Sequence, residues 1–161
     1  MIKLRDLLKE IGETTDYYTF SGPHTVFGDL AKGMDGHVEY YFRADDGDQY
    51  IVEITWDKEI KSDGSFTGSA IVDFISSKTS YSAKGLPLTS QTFKVISTVI
   101  RVMQAFIKAN PWVNMVMFNV EDEKKPDTRS KENLYLAFIK KQLPSVRVER
   151  GMMPGQYKIY L

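Results

Sequence analysis

Polar and apolar positions alternate most cleanly between Tyr50 and Asp57. Tyr50, Val52, Ile54 and Trp56 interleave there with Ile51, Glu53, Thr55 and Asp57. A period of two puts the first set on one side of an extended chain and the second on the other, as in a sheet buried on one face and wetted on the other. His37–Ala44 (HVEYYFRA) comes before it across Asp45-Asp46-Gly47-Asp48. An Asp-Gly step between two such runs predicts a β-hairpin of His37–Ala44 with Gln49–Asp57. After the turn-forming KSDGSFTG, Ala70–Ser76 (AIVDFIS) predicts a further strand, so that 37–76 forms a three-strand meander. Upstream, Tyr17–Phe20 reads as a short strand, and SGPHTVFGDLAKGMDG, with Pro23 and several glycines, reads as loop.

A helical period appears twice at length. Phe93, Ile96, Val99, Ile100, Met103, Phe106 and Ile107 recur at i, i+3, i+4 spacing and predict a helix over Thr92–Asn110, with Thr89 or Ser90 as N-cap and Asn110-Pro111 as its end. Arg129–Gln142 is the second, with Leu134, Ala137, Phe138 and Ile139 at or near its buried face and Leu143-Pro144 as its stop. Between them Trp112–Val120 is an apolar run that predicts a central strand, followed by the charged loop EDEKKPDT. Val146–Arg150 and Gln156–Leu161 predict a closing hairpin across MMPG. At the start, Ile2, Leu4, Leu7, Leu8 and Ile11 share one helical face before Gly12, so residues 1–12 predict a short docking helix. The predicted order is α–β–β–β–β–α–β–α–β–β: one α+β domain over 1–161, with helices on a mostly antiparallel sheet.

Composition narrows the chemistry. Lys+Arg and Asp+Glu are both 21, so there is no net charge to draw the chain to nucleic acid or to an anionic membrane. Tyr40, Tyr41 and Phe42 beside Arg43 are the residue types that stack on bases, yet adjacent strand residues point to opposite faces and build no single platform. There are no cysteines, which excludes disulfides, thiolate nucleophiles and Cys-based zinc sites. No segment approaches the ~20 apolar residues of a membrane span, and MIKLRDLLKEIGE lacks the apolar core of a signal peptide. A soluble protein of the cytoplasm is expected, or of the host-cell cytoplasm if a virus encodes it.

The order of elements over Val38–Leu161 resembles the GCN5-related N-acetyltransferase fold. Two short patterns, Phe93-Lys94-Val95-Ile96-Ser97-Thr98-Val99-Ile100 and Ser130-Lys131-Glu132-Asn133-Leu134-Tyr135, resemble those that open the corresponding helices in small proteins of tailed bacteriophages. The acetyltransferase resemblance implies a cofactor cleft between the fourth and fifth strands. It also implies a phosphate-binding loop before the long helix, where backbone N–H groups hold the pyrophosphate of acetyl-CoA. Here that stretch is Lys84-Gly85-Leu86-Pro87-Leu88-Thr89-Ser90-Gln91-Thr92, with one Gly, a Pro and no Gly-x-Gly/Ala pair. Lys84, Thr89 and Ser90 are its candidate anion ligands. Tyr135 stands where such enzymes place the acid that protonates the departing thiolate, and Thr128 where they place an Asn.

Glu53 and Asp57, on the polar side of the predicted hairpin, are the candidate general bases. Only two histidines exist, His24 and His37. Asp29, Asp35 and Glu39 lie near them without a known ligand spacing, so no metal is expected. Asp45-Asp46-Gly47-Asp48 lacks the flanking helices of a calcium loop and reads as a turn. The reading is an accessory protein, virus-encoded, that binds a host protein or small ligand on an acetyltransferase-like scaffold and needs no cofactor. The alternative is an acyl-CoA-dependent N-acyltransferase using acetyl-CoA, with Tyr135 as acid and Glu53 or Asp57 as base.

Overall fold

In the computed structural model, residues 16–77, 90–119, 136–152 and 156–161 are described. The Asp-Gly turn forms as its sequence requires. Gly47 takes φ +82°, which an L side chain rarely adopts, and its N–H donates to the Ala44 carbonyl at 3.0 Å. The strands on either side, β2 (Gly36–Arg43) and β3 (Gln49–Ile60), pair antiparallel without interruption from Gly36 opposite Trp56 to Arg43 opposite Gln49. A second turn at Gly64, also at positive φ, returns the chain as β4 (Phe66–Ser76). This strand begins earlier than the predicted Ala70, because β3 runs on to Ile60 and the pairing continues to Phe66. Gly68 belongs to the strand rather than to the turn. A Cβ there would lie 2.2 Å from the Asp57 carbonyl oxygen, so only glycine fits.

The other departure is at the start of the described chain. β1 (Phe20–Phe27) occupies part of the segment expected to be loop, and the strand expected at Tyr17–Phe20 contributes only Phe20. β1 is an edge strand paired with β2, and its register shifts between Ser21 and His24 and again between Thr25 and Phe27. An edge with bulges tolerates Pro23, which has no N–H for a ladder, and that is why turn-forming residues here do not break the strand.

After β4 come α1 (Ser90–Ala109), β5 (Val113–Asn119), α2 (136–142), β6 (Arg147–Arg150) and β7 (Gln156–Tyr160). The sheet order is β1-β2-β3-β4-β5-β7-β6. Every neighbouring pair is antiparallel except β4 with β5, the pair joined through α1. The protein is therefore an α+β fold with a mostly antiparallel seven-stranded sheet and, among the described residues, two helices. The docking helix expected over 1–12, the start of the Arg129–Gln142 helix and most of the Ser77–Gln91 loop lie outside the described residues. No described helix is long and apolar enough to cross a membrane.

One face of the sheet is the core. Val38, Tyr40, Phe42, Tyr50, Val52, Ile54, Trp56, Ala70, Val72 and Phe74 are all buried on it, among them the four of β3 that the alternation predicts, Tyr50, Val52, Ile54 and Trp56. α1 packs there through Phe106, whose ring lies 6.3 Å from Trp56 and 6.4 Å from Trp112. α2 packs beside α1, with Phe138 6.1 Å from Phe93. Asn110 closes α1, its Nδ2 donating to the Phe106 carbonyl at 2.8 Å.

Candidate functional site

The opposite side of the same strands carries the polar residues, and the register gathers acids there. Glu39 on β2 stands directly opposite Glu53 on β3, and Glu53 directly opposite Asp73 on β4. Opposed residues on adjacent strands bring their side chains within about 4.5–5.5 Å at Cβ, so like charges in that position repel and destabilise the sheet. The opposed pair Glu39 and Glu53 is thus a local conflict with stability, the kind that marks functional sites. All three residues are partly buried, neither sealed in the core nor fully in water.

His37 extends the row. It lies two residues before Glu39 on the same face of β2, with its Nε2 4.0 Å from Glu39 Oε1. One ligand-capable atom from each of His37, Glu39 and Glu53 lies within 4.8 Å of the others. The His37 side chain is only 19% exposed, and its Nε2 has no hydrogen-bond partner. Tyr41, next along that face, donates its hydroxyl to Glu39 Oε2, a bond that raises the Tyr41 pKa. Rings from β1 flank the group: Phe27 meets His37 edge-on at 6.0 Å, and His24 lies 5.2 Å from Tyr41. Burial lifts the Glu53 carboxyl above its ordinary range. His37 opposes that shift, while Glu39 and Asp73 add to it. Glu53 thereby gains a tendency to hold or accept a proton.

In comparison with known proteins, no family model, no curated protein and no solved structure matches this chain.

Of the residues expected to carry function, Glu53 is in this cluster. Asp57 is on the same face but four residues further along β3, opposite Ser69 and exposed. At about 3.3 Å per residue that is roughly 13 Å away, so the two do not converge. Ser90 begins α1. Lys84, Thr89 and Tyr135 lie outside the described residues. Asp29 serves its own loop, accepting the Ala31 N–H at 2.9 Å and pairing with Lys32 at 3.5 Å. The turn acids are engaged by protein donors: Asp45 by Tyr18, Asp46 by the Asp48 N–H, and Asp48 by the hydroxyls of Ser76 and Ser77. Tyr40 and Phe42 are buried in the core while Tyr41 faces outward, so the three form no stacking platform. Asp73, and the joining of His37 to Glu53, are not apparent from spacing alone. The signal for the second was the His-x-Glu pair on one strand face, completed by the register of the hairpin.

One further feature borders the row. β4 pairs with β5 only from Gly68 to Val72, opposite Val113 to Phe118. Asp73–Ser76 continue alongside β3 alone among the described strands. The described part of β5 ends at Asn119, one residue past its last pairing with β4.

Proposed function

We propose that the protein is a binding protein whose outer sheet face takes a positively charged group, presented by a small ligand or by a host protein. The observation that carries this is the in-register pair Glu39 and Glu53, two acids held side by side at a cost that a bound cation would relieve. The scaffold is acetyltransferase-like in this reading, supported by the order of elements. The patterns at Phe93–Ile100 and Ser130–Tyr135 support a virus-encoded accessory role. Titration calorimetry with spermidine and with a lysine amide tests the binding. Saturable binding that falls at least tenfold in a Glu39→Gln, Glu53→Gln double variant is expected. Equal affinity in that variant would remove the face as the site.

A second reading is N-acyl transfer from acetyl-CoA to an amine, favoured by the raised pKa of Glu53. Glu53 would take the proton from the attacking nitrogen as the acyl carbon passes from sulfur to nitrogen, and Tyr135 would protonate the leaving thiolate. Lys84, Thr89 and Ser90 would hold the phosphates. A ligand at 100 times its dissociation constant stabilises by about 2.7 kcal/mol, so absence of any thermal shift at millimolar acetyl-CoA rules this reading out. Turnover unchanged by Tyr135→Phe would remove that residue's role.

A further inference from the structure

Imidazole and carboxylate side chains that converge on one point are the donor set of a transition-metal ion, and the outer face holds such a set at one end of its acid row. We propose that His37, Glu39 and Glu53 are the protein ligands of a divalent transition-metal ion, with zinc the best match. The inference rests on the reading that this face binds positive charge, and it commits that charge to a metal.

The geometry is close to what zinc needs. Ligand atoms in a tetrahedral site at about 2.0–2.1 Å from the metal stand about 3.3 Å apart. The three donor atoms already lie within 4.8 Å of one another, so a closure of about 1.5 Å completes the set. Rotation about the torsions of two glutamates supplies that without moving the strands. All three ligands sit on one hairpin whose register is unbroken between Gly36 and Arg43, a rigid support.

Three further observations agree with a metal there. His37 Nε2 is enclosed without a hydrogen-bond partner, and a buried nitrogen of that kind is costly unless something accepts its lone pair or its proton. Glu39 faces His37 through Oε1 while its other oxygen, Oε2, accepts the Tyr41 hydroxyl, the arrangement by which an outer partner holds a ligating carboxylate in place. Glu39 and Glu53 oppose each other as like charges, and a dication between them turns that repulsion into attraction. Calcium and magnesium fit less well, because they take six or more oxygen ligands and disfavour imidazole. Three protein ligands leave a fourth zinc position open on the outer face, as in sites where a water or substrate binds the metal.

The test is calorimetric titration of zinc into the chelator-treated full chain, with metal content after dialysis giving the stoichiometry. One ion per chain is expected, with affinity reduced at least tenfold by His37→Ala, by Glu53→Gln and by Tyr41→Phe, and unchanged by Glu149→Gln, an exposed acid on the far edge strand β6. Should His37→Ala fail to fold by circular dichroism, the isosteric Glu53→Gln carries the test. Absence of saturable binding, or equal affinity in Glu53→Gln, overturns the metal site. Spermidine run in parallel separates the two levels of the argument. Spermidine binding without zinc binding removes the metal and leaves the cation-binding face, and binding of neither removes both.

Discussion

Replacing Glu53 by Gln keeps its shape and removes its charge, and the structure gives this change a sign opposite to that of most substitutions. Glu53 stands between Glu39 on one strand and Asp73 on the other. Cross-strand charge pairs are worth roughly 0.2–1 kcal/mol each, so relieving two repulsions should stabilise the chain by about 0.5–2 kcal/mol near neutral pH. For a domain of this size, 1 kcal/mol moves the melting temperature by about 2–4 °C. The pH dependence follows from linkage. The folded-state pKa of Glu53 is raised, so between its unfolded and folded values the folded chain binds more protons than the unfolded chain. Its contribution is thus fully favourable below the ordinary carboxylate range and is lost as pH rises through the folded value. The advantage of Gln should be larger at pH 8 than at pH 4, where Glu53, its pKa raised first by burial and then by its acidic neighbours, takes up its proton. Urea unfolding at both pH values, in the presence of a chelator, reads this directly. A Glu53→Gln chain that is less stable than the parent at pH 8, or equally shifted at both pH values, would refute the row as a site of repulsion.

Two other predictions concern the frame that holds the row. A Cβ at Gly36 would lie 2.2 Å from Trp56 Cζ2 and 2.6 Å from Cη2, and Trp56 is buried with its Nε1–H given to the Met34 carbonyl at 3.0 Å. Gly36→Ala should therefore cost about 1–3 kcal/mol by overpacking, measured by urea unfolding followed by tryptophan fluorescence, and a loss under about 0.5 kcal/mol would contradict that contact. Asp48 is buried and accepts the hydroxyls of Ser76 and Ser77 where β4 ends. Asp48→Ala should cost about 1.5–3 kcal/mol and speed hydrogen exchange at the Ser77 amide, which donates to the Gln49 carbonyl at 2.8 Å; unchanged exchange there would sink the prediction.

The elements with a strong period were legible, and those governed by distant neighbours were not. Phe93 to Phe106 announced α1, and Tyr50 to Trp56 announced the buried face of β3, because each pattern reports its own burial. β1 hid behind Pro23 and its glycines, since what makes it a strand is the free edge of β2, a partner some fifteen residues away in sequence. Gly68 was taken for a turn residue, although its role is to let the Asp57 backbone approach. For the site, Glu53 was visible as a polar-face acid and His37 as one of two histidines, yet neither suggested the other. Their meeting depends on the hairpin register, which a one-residue slip would have reversed.

β4 links the two readings of the site. Its inward residues Ala70, Val72 and Phe74 are buried in the core, which sets the strand's rotation and hence turns Asp73 onto the outer face in line with Glu53. A cation bound between Glu39 on β2 and Glu53 on β3 is two strand spacings, about 9.5 Å, from any group lodged between β4 and β5. If acetyl-CoA does stabilise the chain, an acyl group lodged there and a cationic acceptor at the acids would stand apart by that distance. If it does not, the row still stands on β2, β3 and β4, whose mutual pairing is independent of β5. Cation binding should therefore survive changes on β5 and fall at least tenfold in the Glu39→Gln, Glu53→Gln double variant.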